Sequence, residues 1–129
     1  MNKDYQFWHK LKTYINNASY RVKFKEGDVW FCRLGMNIGS EQDGKGEHFL
    51  RPILVLKKFN SQVFLAIPLT KTAKTGRFYY SFQLKDSVAS TAILSQIRLV
   101  DAKRLKYQIG RLNKENMFQI KQKLKQLLE

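Results

Sequence analysis

Between residues 39 and 56 the chain reads GSEQDGKGEHFLRPILVL. Ser40, Glu41, Gln42, Asp43, Glu47 and His48 occupy a glycine-broken polar stretch that runs into an apolar strand at Arg51-Pro52. Acids, amides, a hydroxyl and an imidazole beside a permanently cationic guanidinium form a set able to grip a phosphate and move a proton. Elsewhere the candidates are fewer. His9 borders an apolar helical stripe and reads as structural, and Cys32 alternates with its neighbours inside a strand as a small apolar filler. No nucleotide-binding glycine loop, metalloprotease helix or nucleophile elbow is present in the sequence. One cysteine and two histidines leave an internal disulfide and the common four-ligand zinc site out of reach.

Such residues need elements to position them. Phe7, Trp8, Leu11, Tyr14 and Ile15 recur at spacings of three and four, which predicts a helix over 4–16 with Asp4 as its N-cap. KEGDVWFCRL reads as a turn at Gly27-Asp28 leading into a strand. RPILVLKKF, SQVFLAIPL and RFYYSFQL follow as strands, with a tight turn near Asn60, and TAILSQIRLVD reads as another, continued by AKRLKYQIG. Asn113 caps a closing helix whose buried stripe is Met117, Ile120, Leu124, Leu127 and Leu128. Short-linked strands followed by one amphipathic helix predict a mainly β fold, a small antiparallel sheet or barrel.

The chain has 129 residues, 43% of them hydrophobic, enough for one domain with its own core. Its 24 Lys and Arg against 10 Asp and Glu give a net charge of +14. A surplus that large on a small domain attracts polyanions, nucleic acid or an acidic protein first among them. No apolar run suits a signal peptide or a membrane span, so a soluble cytoplasmic protein without a membrane partner is expected.

The order of short motifs goes further. GDVWFCRLGMNIGSEQ, RPILVL, LAIPLTK, SQIRLVDAKRL and a C-terminal helix, in that order, resemble the MazF/PemK (Kid-like) toxins over residues 26–128. The resemblance implies an SH3-like antiparallel barrel of the CcdB/PemK kind with a C-terminal helix; residues 1–20 would be an extra helical extension of the same single domain. It implies a homodimer that cuts single-stranded RNA at a preferred sequence without metal or other cofactor, leaving a 2′,3′-cyclic phosphate and a 5′-hydroxyl. A cognate acidic antitoxin would restrain it.

Residue by residue, Arg51 matches the arginine that stabilises phosphate charge, and Thr70 the strand-end threonine that holds the same phosphate. Ser40, Glu41, Gln42 and Gln96 match the substrate groove. Ser95 stands where relatives often carry an acid, so Glu41 becomes the first candidate for the base. The loop from Gln42 to Arg51 is longer than the usual family turn, and His48 on it is a candidate proton donor. Arg98 and Asp101 read as an ion pair or a dimer contact. Two other functions are compatible with the sequence: a toxin of the same fold that grips a protein such as gyrase, as CcdB-like proteins do, and a non-catalytic nucleic-acid-binding module.

Overall fold

The computed structural model describes residues 4–16, 22–34, 50–84 and 89–129. Helix α1 (Tyr5–Asn16) begins where the sequence places it, with the Phe7 amide donating to Asp4 Oδ1 at 3.0 Å. Its apolar stripe is only partly used. Trp8 and Ile15 are buried with Leu11 against them, whereas Phe7 and Tyr14 stay exposed.

Seven antiparallel strands follow: β1 (Asp28–Arg33), β2 (Leu50–Lys58), β3 (Val63–Thr70), β4 (Tyr79–Gln83), β5 (Ala89–Ile93), β6 (Arg98–Asp101) and β7 (Leu105–Arg111). Their order is β4-β5-β3-β2-β1-β7, with β6 paired to β3. The predicted turn near Asn60 forms because the Gln62 and Val63 amides both donate to Asn60 Oδ1. Among the described residues no ladder joins β4 to β7, so the expected barrel is a sheet whose ends approach without closing. That approach is close: a Cβ on Gly110 of β7 would lie 3.4 Å from Leu84, just after β4.

The segment 91–110 is not the continuous strand its composition suggests. Short 3-10 helices at Leu94–Gln96 and Ala102–Arg104 divide it into β5, β6 and β7. The second is fixed by Asp101, whose Oδ1 accepts from the Lys103 amide at 2.8 Å. It also seats α1, because Lys103 Nζ donates to the Asn16 carbonyl at 2.9 Å.

Side chains alternating along the strands build two cores. Trp30, Cys32, Ile53, Val55, Phe64 and Ala66 pack on one face with Val100 and Leu105. Val29, Leu54, Leu56, Ile67 and Leu69 pack on the other. Helix α2 (Lys114–Leu127) covers that second core, capped by Asn113 Oδ1, which accepts from the Asn116 amide at 2.8 Å. Met117, Ile120, Leu124 and Leu127 face the core as predicted. Leu128 does not: it follows the last helical residue, is 89% exposed and has no place in the stripe. No helix among the described residues is long and apolar enough to cross a membrane.

The turn into β1 binds these layers together. Gly27 takes φ +91°, a region costly for residues with a Cβ. Its amide donates to the Val55 carbonyl and its carbonyl accepts from the Leu112 amide, both at 2.8 Å. Asp28 is buried, and its carboxylate accepts from the Lys25 amide at 2.8 Å and the Trp30 indole at 3.3 Å, and from Arg111. Replacing Asp28 by Ala strands these donors; breaking a buried pair of this kind costs about 3–5 kcal/mol. Urea unfolding of Asp28→Ala should show a loss of that order. Arg111→Ala should be destabilising as well, because it leaves the buried Asp28 carboxylate without its cation.

Candidate active site

Arg51 lies near the start of β2, opposite Cys32 of β1. On its other side the register sets Ile53 opposite Pro68 and Leu54 opposite Ile67. Carried two residues outward, that register sets Arg51 opposite Thr70, the last residue of β3. Arg51 Nη1 reaches across to donate to the Leu69 carbonyl at 3.2 Å, which anchors one arm of the guanidinium at this strand end. Alternation along β2 and β3 gives Arg51 the parity of Ile53 and Val55, and Thr70 the parity of Phe64 and Ala66, so both belong to the face of the first core.

Thr70 is half-buried and pairs with Thr91 of β5. Its Oγ1 accepts from the Thr72 amide at 3.2 Å, which turns the chain away from the strand. The hydroxyl proton of a threonine so engaged is still available to an outside acceptor. Behind it, Ser81 Oγ and Thr91 Oγ1 lie 3.0 Å apart. Gln96 closes the first 3-10 helix and is half-buried.

The fold therefore brings Arg51 and Thr70 to neighbouring strand ends. Ser40, Glu41, Gln42 and His48 lie outside the described residues. His9 is exposed on α1. Among the described residues no ion pair joins Arg98 to Asp101, contrary to one sequence expectation; Asp101 instead caps the second 3-10 helix. Cys32 is fully buried, and burial pushes its thiol up to about 12 against the opposing pull of Arg104, Arg98 and Arg33. Burial also holds the Arg104 guanidinium below its ordinary range, with Arg98 adding repulsion, while Cys32 and Asp101 act the other way. The contact of Arg104 Nη1 with the Arg33 carbonyl, at 3.2 Å across 71 positions of the chain, was not apparent from the sequence.

This antiparallel sheet with its C-terminal helix is similar in fold to solved MazF structures. MazF from Deinococcus radiodurans superposes with a TM-score of 0.64 at 20% identity, covering 85% of this chain and 98% of its own. The MazE-MazF structure from the same organism gives 0.63 at 22%, covering 83% and 97%. A mycobacterial endoribonuclease in complex with its cognate antitoxin gives 0.62 at 17%, covering 82% and 95%. No curated protein matches the chain. Residues 25–128 match the model of the PemK-like, MazF-like toxins of type II toxin-antitoxin systems, and the chain belongs to that family.

Cys32 takes the structural role that its strand position suggests. In the native protein it should resist a thiol reagent at pH 8, where an ordinary thiol is partly ionised, and react promptly once urea unfolds the chain. A folded-state value raised above the unfolded one contributes stability that is present below about pH 9 and lost as pH climbs toward 12. A native-state labelling rate close to the unfolded rate would contradict this burial.

Proposed function

We propose that this toxin is an endoribonuclease that cuts single-stranded RNA at a preferred sequence without metal, leaving a 2′,3′-cyclic phosphate and a 5′-hydroxyl. The observation that carries the reading is the position of Arg51 near the start of β2 and of Thr70 at the end of the paired strand β3. The RNA 2′-oxygen attacks the neighbouring phosphorus, its proton passes to a base, the bond to the 5′-oxygen breaks, and that oxygen takes up a proton. Negative charge builds on the non-bridging oxygens as the new bond forms. A guanidinium held in place by a backbone carbonyl meets that charge without reorganising. The Thr70 hydroxyl donates to the same phosphate.

On this reading Glu41 takes the 2′-hydroxyl proton, His48 protonates the leaving oxygen, and Ser40, Gln42 and Gln96 line the bases. Residues 26–128 form the toxin core, and two copies act as a homodimer in the cytoplasm. The charge of +14 suits both the RNA and an acidic antitoxin that covers the same surface. A strand-end phosphate grip has no use in a toxin aimed at a protein such as gyrase, which favours the ribonuclease reading over that one.

Losing one preorganised donor of this kind costs ~2.7–4 kcal/mol of barrier, or about 10²–10³ in rate. In EDTA, Arg51→Ala should cut single-stranded RNA slower by about that factor, and Thr70→Val should be slowed by a smaller one, with circular dichroism unchanged in both. An Arg51→Ala protein that cuts at the wild-type rate would remove Arg51 from the chemistry.

A further inference from the structure

One face of α1 borders a groove. Tyr5, Trp8, His9 and Lys12, at spacings of three and four, line a hollow of about 590 Å³ together with Gln6 and Lys10. Trp8 and Lys12 also line a second, narrower hollow of about 150 Å³, whose far wall is Asp101, Lys103 and Arg104. The two hollows meet at those shared residues and form one groove where α1 rests on the second 3-10 helix. Its floor is apolar: Trp8 is 7% exposed and Ile15 5%, with Leu11 packed against them. Its rim is cationic. No residue of α1 is acidic, and Lys10, Lys12, Lys103 and Arg104 stand against Asp101, whose Oδ1 accepts from the Lys103 amide.

These cations are held in place without being used up. Lys103 Nζ donates to the Asn16 carbonyl at 2.9 Å, and Arg104 Nη1 to the Arg33 carbonyl at 3.2 Å, with its guanidinium 5.6 Å from the Trp8 ring centroid. A lysine has three donors and an arginine five, so each keeps N–H groups for an acceptor from outside the chain. Lys12 is exposed and makes no hydrogen bond or ion pair among the described residues. From Tyr5 to Asn16 the helix offers roughly 17 Å, the length of about five extended residues. An apolar floor under a cationic rim suits a chain that carries apolar anchors among carboxylates. A nucleic-acid strand fits less well. Trp8, the largest ring in the groove, is buried and carries Arg104 over one face, which leaves no open face for a base to stack on.

We propose that the groove between α1 and the second 3-10 helix docks an acidic segment of a partner protein. An apolar side chain of that segment seats against Trp8, and its carboxylates meet Lys12, Lys103 and Arg104. The α1 wall lies outside residues 25–128, the stretch that matches the family model, so a partner held here reads a feature which that model does not contain. The docking uses neither Arg51 nor Thr70 and does not depend on the ribonuclease reading. An acidic antitoxin is a partner of this chemistry, and the groove gives it a hold that does not involve the strand-end pair.

The test follows three labelled probes by fluorescence anisotropy: a peptide of Glu-Glu-Leu repeats, a peptide of Glu-Glu-Ser repeats with the same length and charge, and a single-stranded oligodeoxynucleotide. Wild type is compared with Lys12→Glu, with Lys12→Gln, and with Lys121→Glu, which makes the same charge change at an exposed position of α2. Circular dichroism checks that each variant is folded. Wild type should hold the leucine-bearing peptide more tightly than the serine-bearing one. Lys12→Glu should weaken that binding about tenfold, Lys12→Gln by less, and Lys121→Glu by under about twofold. Equal binding of the two peptides, equal losses at Lys12 and Lys121, or no peptide binding would overturn the groove, and none of these outcomes bears on RNA cleavage. Loss of oligodeoxynucleotide affinity in Lys12→Glu with peptide affinity kept would assign the groove to a nucleic acid and overturn the protein assignment.

Discussion

The buried carboxylate of Asp28 is the constraint on which the rest of the structure hangs. A charge at 4% exposure is tolerated only when its oxygens are filled, and here the Lys25 amide, the Trp30 indole and Arg111 fill them. Those donors come from the turn, from β1 itself and from β7, so one side chain fixes the relation of all three. Gly27 beside it reaches Val55 of β2 and Leu112 at the threshold of α2. A one-residue slip of β1 would exchange its two core faces and strand the carboxylate. With β1 fixed, Cys32 falls opposite Arg51, and β2 in turn sets Arg51 toward Thr70. The site at one end of the strands follows from an ion pair at the other.

Packing explains why such a basic chain still folds. Both faces of the central strands are apolar, and the positive charge is left to strand ends, loops and the outer face of α2. Lysines there are solvated or satisfied locally: Lys123 donates to the Tyr79 carbonyl at 3.0 Å, and Lys58 to the Phe24 carbonyl at 2.9 Å. Arg104 is different, since burial holds its guanidinium below the ordinary range and Arg98 adds repulsion.

Local rules in the sequence were legible where one side chain decides the outcome. Asp4 and Asn113 cap the helices they were expected to cap, and Asn60 makes its turn, because each needs only a side-chain oxygen and amides two or three residues on. Arg51 and Thr70 stood out as candidates only through the ordered motifs of a family, since neither residue is unusual for its strand. What escaped depends on long-range geometry. The break of 91–110 into three strands requires Asp101 to cap a turn that lets the chain cross from β3 to β1, and composition there is uniformly strand-like. Phe7 and Tyr14 fit the helical period but stay exposed, and Leu128 falls past the end of its helix. Arg104 reaches the Arg33 carbonyl and so ties the second 3-10 helix to β1, a proximity that no local spacing encodes.

The central claim is that the strand-end pair serves attack by the RNA's own 2′-hydroxyl. Its most direct test is the chemistry of the new ends, read by mass spectrometry after a single-stranded oligoribonucleotide is incubated with the antitoxin-free protein in EDTA. The account predicts a 2′,3′-cyclic phosphate on one fragment and a 5′-hydroxyl on the other. Fragments ending in a 3′-hydroxyl and a 5′-phosphate would contradict it, because water and not the 2′-oxygen would then have attacked the phosphorus.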